Sequence, residues 1–338
     1  MEMKAKRNIK IAASVVAVVI VALAAYLLPF VFSGAQRGTI VVVDSKSQLK
    51  QISDAEGEAY SSRVGTLLSL FGVDLSKRQG GYAIEEGESP LSVARKIRNH
   101  NQVSIKFTFH DIRTKEQFAE RAAEKFMMSK DDILTLLNDS SFCDSLYHKT
   151  PETVVSVLIP DTYEFYYTVS PSKFLTRIAK YYDKFWTNER KAKATALGLS
   201  PDEVSTIASI VEEETAKSDE RGKVARLYIN RYKSGMKLQA DPTVKFAIGD
   251  FSIKRITHEM LFTDSPYNTY KFEGLPPGPI RLPERSTIDA VLNAPAHNFT
   301  YMCAKEDFSG YHNFTSSYAE HQANAAKYQA ELNKRGIK

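Results

Sequence analysis

Three consecutive glutamates, Glu212, Glu213 and Glu214, stand at the end of a segment whose apolar residues recur with a helical period. On a helical wheel Glu214 lies about 50° from the centre of the apolar stripe, whereas Glu212 and Glu213 lie about 110° and about 150° away. A carboxyl group on an apolar face is desolvated, which raises its pKa and lets it stay protonated near neutral pH, as a general acid must be. The pattern therefore indicates Glu214 as a candidate acid. It predicts Glu212 and Glu213 to be solvated, as charged residues at a helix end usually are.

The helix that carries these glutamates has a recognisable start. Ser200 and Glu203 match the Ser-x-x-Glu capping box, and Pro201 suits the first helical position, where no backbone N–H is needed. The helix is therefore predicted to begin at residue 201 and to hold the three glutamates in its last turns.

The N-terminus combines a basic flank with a long apolar run. Residues 11–32 carry no charge, and 22 residues at 1.5 Å rise per residue are long enough to cross a hydrocarbon core of about 30 Å. We expect residues 11–33 to be an uncleaved membrane anchor, because a cleaved signal peptide, the alternative, has a shorter apolar core. By the positive-inside rule, residues 1–10 are then cytoplasmic and the rest of the chain lies outside the cytoplasm. The flank contains Lys4, Lys6, Arg7 and Lys10 against Glu2.

Composition excludes a nucleic-acid-binding role. The net charge is +5, and the basic flank alone contributes +3 of it (four bases less Glu2), which leaves no excess for a phosphate backbone. Cys143 and Cys303 form no metal-binding or redox pattern, and whether they pair stays open. We expect no metal and no cofactor.

The remaining chain predicts an α+β protein. Residues 34–100 should form a small α/β region, with a β-branched strand at 39–43, mostly helix over 49–71 and a short strand at 82–84.

The next segment, residues 101–165, reads as strand, helix, helix, strand. Residues 103–109 alternate as a strand should, Thr114 and Ser129 are placed to cap two helices, and the apolar run 154–159 is predicted to be the second strand. This βααβ order resembles a LysM domain, a small module that binds glycan chains containing N-acetylglucosamine. A generic α/β packing unit is the alternative.

Residues 166–338 predict a mainly helical domain with loops and a short β hairpin. Loops rich in Pro, Asn and Tyr fill much of the stretch from 238 to 280, and loops on a rigid scaffold are where binding groups tend to lie. The expected helices cover residues 172–186, 201–214, 220–233 and the chain after 316, and the expected hairpin strands are 300–304 and 311–314.

Six motifs follow one another in this C-terminal part. They are, in order, ASIVEEETA (208–216), LYINR (227–231), GMKLQADPTV (235–244), PYNTY (266–270), GLPPGPI (274–280) and HNFTSSYAEH (312–321). In their order and spacing these motifs resemble one family, the YceG-like (MltG) endolytic murein transglycosylases. PDTYEF at 160–165, the anchor and the LysM-like unit agree with the same architecture.

The resemblance implies cleavage of the bond between N-acetylmuramic acid and N-acetylglucosamine in nascent peptidoglycan strands, leaving 1,6-anhydro ends and stopping strand elongation. It assigns catalysis to Glu214, the second glutamate of Glu-x-Glu-Thr, and Glu212 is a candidate supporting residue. Asp241 either belongs to the site or caps a turn or helix. Peptidoglycan strands are the implied partner, and glycan-polymerising synthases would act beside such an enzyme. The candidate substrate-binding residues are Gln239, Asp241, Thr243, Tyr267, Asn268, Thr269 and Tyr270.

Two other functions stay open. One is a muramidase-type hydrolase, in which Asp241 or Glu213 activates water and the products carry reducing ends. The other is a non-enzymatic scaffold of the wall-elongation machinery that binds peptidoglycan, against which the presence of Glu214 argues.

Overall fold

The structure, a computed structural model, describes residues 2–44, 49–253 and 255–336. Its architecture is α+β, mostly helical, with small two-stranded sheets and one apolar N-terminal helix. The chain divides into two compact units. The first comprises Met1–Lys106, Lys125–Met127 and Glu164–Val169, and the second comprises Phe107–Glu124, Met128–Tyr163 and Ser170–Lys338.

The N-terminal helix, α1, runs from Glu2 to Phe32. The most apolar 18 residues of its segment Arg7–Phe32 have a mean hydropathy of 2.8, and none of that stretch is buried in the protein. The helix is long and apolar enough to cross a membrane. It begins earlier than the predicted anchor because the basic residues of the flank continue the same helix.

The rest of the first unit packs three helices on a two-stranded sheet. Strand β1 (Thr39–Val43) pairs antiparallel with β2 (Gly80–Ile84), so that Thr39 lies opposite Ile84 and Val43 opposite Gly80. The predicted strands at 39–43 and 82–84 and the helical stretch 49–71 are confirmed, with a break at Gly57, whose φ is +90°. The helices are α2 (Lys50–Glu56), α3 (Glu58–Leu70) and α4 (Pro90–Arg98).

The predicted βααβ segment contains the expected first strand and both capped helices. Thr114 Oγ1 accepts a hydrogen bond from the Gln117 N–H at 3.2 Å, and Ser129 Oγ accepts one from the Asp132 N–H at 3.1 Å. The elements are β3 (Ser104–Thr108), α5 (Lys115–Ala123), α6 (Lys130–Asn138), the additional α7 (Ser140–Ser145) and β4 (Thr162–Tyr166), with β3 paired to β4.

The predicted strand at 154–159 is wrong. Val154–Val157 is a short 3-10 helix, in which the Ser156 N–H donates to the Thr153 carbonyl at 2.9 Å. The run has strand composition, but all of it except the half-buried Val155 is buried, so no regular alternation of exposed and buried faces selects an extended chain.

The strand that closes the pair is instead Thr162–Tyr166, where exposure alternates residue by residue and Tyr163 and Phe165 point inward.

The remainder of the second unit is a helical assembly followed by a hairpin. The predicted helices at 172–186 and 220–233 are confirmed with shifts of one residue. The helices Asn188–Ala196 and Arg285–Leu292 were not predicted, and the helix Asp241–Ile248 lies where a loop was expected. The sequence signals for this last helix are a proline in its first turn and Gly249 at its end, with φ of +79°. The elements are α8 (Pro171–Phe185), α9 (Asn188–Ala196), α10 (Pro201–Glu214), α11 (Arg221–Lys233), α12 (Asp241–Ile248), α13 (Arg285–Leu292), β5 (Tyr301–Ala304), β6 (His312–Thr315) and α14 (Tyr318–Lys334), with a 3-10 turn at Glu259–Phe262.

Helix α10 lies at the centre of this assembly, packed against α11 and α13. The Ser200–Glu203 capping box forms in both directions, as predicted. Val204, Ile207 and Val211 of its apolar stripe are fully buried. The proline-rich loop after Gly274 crosses α10, where the Ile280 N–H donates to Ser209 Oγ at 3.0 Å. This hydrogen bond fixes the loop against the C-terminal half of α10.

Gly278 in that loop permits a backbone contact. A Cβ at this position would lie 2.2 Å from the carbonyl oxygen of Glu152, too close for any side chain. The backbone of another segment, at Glu152, occupies the space that a side chain would need.

We therefore predict that Gly278→Ala destabilises the second unit by about 1–3 kcal/mol, the usual cost of overpacking. Trp186, the single tryptophan, is 1% exposed in this unit, so its fluorescence during chemical denaturation reports the unfolding. Gly274→Asn is the control, because no atom lies within 4 Å of a Cβ there and asparagine tolerates its φ of +84°. Equal stabilities of the two variants would show that the contact with Glu152 is not a constraint.

Candidate active site

A cavity of about 210 Å³ opens at the C-terminal end of α10. Glu214, the last residue of that helix, lies in its wall. Helix α11, the Leu238–Asp241 segment and strand β5 bring other groups to the same space, so elements far apart in the chain converge there. The residues that line it are Glu214, Leu227, Tyr228, Arg231, Leu238, Gln239, Asp241, Tyr270, Met302, Cys303, Ala304 and His312.

Glu214 has the electrostatic state of a proton donor. Burial raises the pKa of its carboxyl to about 7, and the nearby negative charge of Asp241 acts in the same direction. The Tyr228 hydroxyl donates a hydrogen bond to Glu214 Oε1 at 2.6 Å, which favours the carboxylate and limits the rise in pKa. Both protonation states are therefore accessible near neutral pH.

Tyr228 is held as a neutral donor. Its side chain on α11 is 2% exposed, and burial together with the charge of Glu214 raises the pKa of the phenol well above its ordinary value. The hydroxyl fixes one oxygen of the glutamate, because a buried phenol without another acceptor gains by keeping this bond. The other oxygen, Oε2, is then the one that can carry an acidic proton.

A second carboxylate faces the same cavity. Asp241, the first residue of α12, accepts a hydrogen bond from the Tyr270 hydroxyl at 2.6 Å. The side chain is exposed and makes no capping hydrogen bond to its own helix, so the capping role considered for it is wrong. The pKa of Tyr270 is raised by burial and by this carboxylate, which keeps the phenol neutral and donating.

His312 reaches the cavity from β6 and is fixed by Glu220. The backbone N–H and the ring Nδ1 of His312 both lie 2.8 Å from carboxylate oxygens of Glu220, which is 6% exposed. Thr215 Oγ1, just after α10, donates to the same carboxylate at 3.2 Å. This network ties β6 to the end of α10 and orients the imidazole.

Glu212 and Glu213 are not solvated, contrary to expectation. Arg281 lies between them, with Nη2 3.1 Å from Glu212 and Nη1 2.6 Å from Glu213, and its Nη2 also contacts Asp111 at 2.8 Å. Arg113 adds a second contact to Glu213 at 3.0 Å. The side chains of Glu212 and Glu213 are only 5% and 18% exposed, so these are largely buried ion pairs.

Glu212 also fixes the start of the next helix. Its Oε2 accepts hydrogen bonds from the Glu284 N–H at 2.8 Å and from the Thr287 hydroxyl at 2.6 Å. A supporting role of this kind, toward α13 and the arginine loop, is what the geometry offers for Glu212.

The structure places three of the seven candidate substrate-binding residues in the cavity with Glu214, namely Gln239, Asp241 and Tyr270. Gln239 is exposed, has a left-handed φ of +51°, and lies near Arg231, whose Nη1 donates to its Oε1 at 3.3 Å. This unusual backbone conformation aims the residue after the buried Leu238 toward the cavity.

Three others are buried where substrate cannot contact their side chains. Thr243 and Thr269 lie 2.8 Å apart through their hydroxyls, and Asn268 donates its amide to the carbonyls of Leu261 and Thr263. All three are at most 2% exposed. They shape the loops that carry Asp241 and Tyr270, because polar groups so deeply buried must be satisfied within the protein.

Tyr267 faces a different cavity, also of about 210 Å³, on the other side of α12. The Phe246 ring lies beside the Tyr267 ring at a centroid distance of 4.7 Å, with the two rings tilted by 47°. Arg113 and Glu152 line the same cavity. Tyr267 and Tyr270, three residues apart, therefore serve two neighbouring cavities.

Sequence reasoning missed Tyr228, Arg231 and the β5 residues at 302–304. Tyr228 and Arg231 stand in the LYINR motif with helical spacing, which places them on one face of α11, but only the packing of α11 on α10 turns that face toward Glu214. Cys143 and Cys303 are both free thiols, and Cys303 lies in the cavity wall. In the described part of the chain no three His, Cys, Asp or Glu residues are grouped as metal ligands.

We predict that two substitutions move the pKa of Glu214 in opposite directions. Tyr228→Phe removes a hydrogen bond that favours the carboxylate and should raise the pKa above about 7, whereas Asp241→Asn removes a nearby negative charge and should lower it. Carbon-13 NMR of labelled glutamate carboxyls, with Glu214→Gln to assign the signal, measures both. Shifts in the same direction would contradict the balance described above.

We also predict that Arg281→Met destabilises the second unit by about 3–5 kcal/mol, since it removes the cation paired with the buried Glu212 and leaves Glu213 with Arg113 alone. The matched control is Arg285→Met, whose ion pair with Asp161 joins side chains that are 52% and 35% exposed, so that a loss of at most about 1 kcal/mol is expected. Denaturation followed by Trp186 fluorescence compares the two. A similar small loss in both would show that Arg281 is not the anchor of this turn.

Two curated proteins share part of this sequence. An endolytic murein transglycosylase of Bacillus subtilis is 32% identical over 240 residues, which are 65% of this chain and 64% of that protein. An endolytic murein transglycosylase of Streptococcus pneumoniae is 31% identical over 134 residues, 38% of this chain and 24% of its own length. The matched part thus spans just under two thirds of the first relative and about a quarter of the second.

A crystal structure of a YceG-like protein from Listeria monocytogenes has a similar fold. The TM-score is 0.57 at 27% identity, over 85% of this chain and 98% of that one. A sequence profile of the YceG-like family matches residues 41–327, which include every residue named in the cavity of Glu214. The chain therefore belongs to the YceG-like family.

Proposed function

We propose that this protein is an endolytic murein transglycosylase that cuts the bond between N-acetylmuramic acid and N-acetylglucosamine within peptidoglycan and leaves a 1,6-anhydro end. The proposal rests first on Glu214, an acid with a pKa of about 7 in the wall of an open cavity. The names of the Bacillus and Streptococcus relatives support the same activity. Cleavage of nascent strands would end their elongation.

In the first step, Glu214 donates its proton to the oxygen of the scissile bond. With Oε1 bonded to Tyr228, we assign the proton to Oε2. A pKa near the working pH suits this role, because the acid must be protonated before the step and a good proton donor during it.

The positive charge that develops on the sugar as the bond breaks requires a negative neighbour. Asp241 fits this need, because it lies in the same cavity and close enough for its charge to raise the pKa of Glu214. Tyr270 holds the Asp241 carboxylate in place.

In the second step, the C6 hydroxyl of the muramyl residue attacks the anomeric carbon, and the Glu214 carboxylate accepts its proton. One carboxyl group thus acts as acid and then as base, and no carboxylate nucleophile is needed. We assign sugar contacts in the cavity to Gln239, Asp241 and Tyr270. We place Tyr267 at a neighbouring sugar position across α12, where an aromatic face is available.

A hydrolase that uses Asp241 to activate water is the second candidate function, favoured by the same shared cavity. The two differ in their products, since hydrolysis gives reducing ends. A scaffold without activity is disfavoured, because it would not require a carboxyl with this pKa.

Two further assignments belong to the proposal. We propose that residues 101–165 act as a LysM-like glycan-binding module and residues 166–338 as the catalytic region. The β3–β4 pair with α5 packed on α6 supports the first of these. We also propose that residues 11–33 anchor the protein in the bacterial cytoplasmic membrane with residues 1–10 inside, on the basis of the basic flank. Synthases that polymerise glycan are the partners this role would bring close.

We predict that Glu214→Gln reduces anhydro-product formation by about 10²–10⁴-fold, the contribution of a general acid, while the protein still folds and sediments with peptidoglycan. Mass spectrometry of digested glycan, with borohydride reduction to mark reducing ends, gives the product. The control is Glu273→Gln, an exposed glutamate in the loop that follows Tyr270, which should keep full activity. Anhydro ends formed at the normal rate by Glu214→Gln would overturn the assignment, and mainly reducing ends from the unmodified protein would favour the hydrolase.

A further inference from the structure

A second cavity, in the second unit, takes no part in the chemistry proposed above. Its volume is about 670 Å³, within the range of sites that hold small ligands. It lies between α8, α9, the segment before β4 and the start of α13. Aromatic rings form part of the wall, with Tyr163 and Tyr181 packed edge to face at 4.7 Å and Phe185 beside them.

One side of the cavity is a rigid ion pair. Arg190 donates from Nε and Nη2 to both oxygens of Asp289 at 2.8 and 3.0 Å, and its guanidinium lies 4.2 Å from the centre of the Phe185 ring. The third guanidinium nitrogen, Nη1, donates a hydrogen bond to the Phe185 carbonyl at 3.0 Å. The polar groups of this ion pair are already bonded within the protein, so the pair forms part of the cavity wall and is not expected to bind a ligand.

Two other cations line the cavity and have donors without a bond to another described residue. Lys184 Nζ lies 5.1 Å from the centre of the Tyr181 ring, and no carboxylate of the described residues lies within ion-pair distance of it. Arg285 donates from Nη1 to Asp161 at 2.7 Å, and its side chain is 52% exposed. Two cations beside one opening provide a site for a carboxylate.

The same cavity also contains acceptors for a cation. The Glu284 carboxyl is half-buried at the start of α13, and burial together with the charge of Glu212 raises its pKa. A bound ammonium group would stabilise its charged form, since an opposite charge nearby favours the carboxylate. Asp289 is already paired with Arg190, so Glu284 is the acceptor considered for a ligand.

The balance of charge selects the class of ligand. Three cations (Lys184, Arg190 and Arg285) face three acids (Asp161, Glu284 and Asp289), so the wall has almost no net charge. A diphosphate would need an excess of positive charge, and a neutral sugar would leave Lys184 without a partner. A zwitterion matches both halves of the wall.

We propose that this cavity binds a short zwitterionic peptide of the kind that peptidoglycan stems provide, with its carboxylate at Lys184 and Arg285 and its ammonium at Glu284. This deepens the proposed function and rests on it for the source of the peptide. The site is distinct from the cavity of Glu214. Along α10, Glu212 and Glu214 are about 200° apart. Glu212, which accepts the hydrogen bond from the Glu284 N–H, and the acid Glu214 therefore face opposite sides of the helix.

The test measures peptide binding without catalysis. Calorimetry on the full chain in detergent, carrying Glu214→Gln, uses a synthetic tetrapeptide of alanine, γ-linked glutamate, diaminopimelate and alanine. We expect saturable binding, weakened about tenfold by Lys184→Met, which corresponds to the loss of one charge-assisted hydrogen bond. Lys180→Met is the matched control, because Lys180 is an exposed lysine of α8 that does not line the cavity. It should leave the affinity unchanged.

Two further binding measurements identify the chemical class of the ligand. A peptide with its carboxylates amidated should lose most of its affinity, and inorganic diphosphate should compete poorly. No binding of the tetrapeptide, equal weakening by Lys180→Met and Lys184→Met, or tighter binding of diphosphate than of the tetrapeptide would each overturn the proposal. If the peptide binds as expected but the unmodified protein forms no cleavage product, the proposed function fails while the binding site stands.

Discussion

The site depends on one arginine that holds two of three adjacent glutamates. Arg281 neutralises Glu212 and Glu213, and its contacts pin the last turn of α10 against the proline-rich loop. Without a cation there, three consecutive carboxylates would repel one another and pull the turn toward water. Because the first two are paired, the third can be desolvated at the helix end. The rotation of α10 that turns Glu214 into the cavity is thus a consequence of charge pairing on its other faces, together with the burial of Val204, Ile207 and Val211.

The pKa of Glu214 results from opposing effects, of which burial is the largest. Burial and Asp241 favour the protonated form of Glu214, and the hydrogen bond from Tyr228 favours the carboxylate. If burial acted alone, the group would remain protonated and serve poorly as a base. If the hydrogen bond dominated, it would be ionised before it could protonate a leaving oxygen. A reaction in which one carboxyl gives a proton and later takes one requires a pKa between these limits.

Local patterns in the sequence predicted the scaffold better than the site. Capping boxes at Ser129 and Ser200 and the apolar period of α10 are short-range signals, and they predicted the helices that the structure contains. The 154–159 run failed because strand composition and full burial are compatible with more than one backbone, and only the surroundings choose between them. Among the site residues, periodicity identified Glu214, but Arg281 lies 67 residues further along the chain, in a loop, and no spacing rule connects it to α10. Thr243, Asn268 and Thr269 belong to the motifs of the site, yet their burial shows that a motif residue can shape a loop without touching a ligand.

Two glutamates at the end of α10 are connected to two different cavities. Glu214 faces the smaller cavity, while Glu212 turns away and holds the Glu284 backbone at the start of α13, which borders the larger one. The charge of Glu212 raises the pKa of Glu284, so the titration state of the larger cavity already depends on this turn. Any ligand that places a cation beside Glu284 offsets the repulsion between those two carboxylates. Glu212 also contacts Thr287 and Arg281, so its hydrogen bonds join the start of α13 at the larger cavity to the helix turn that carries Glu214.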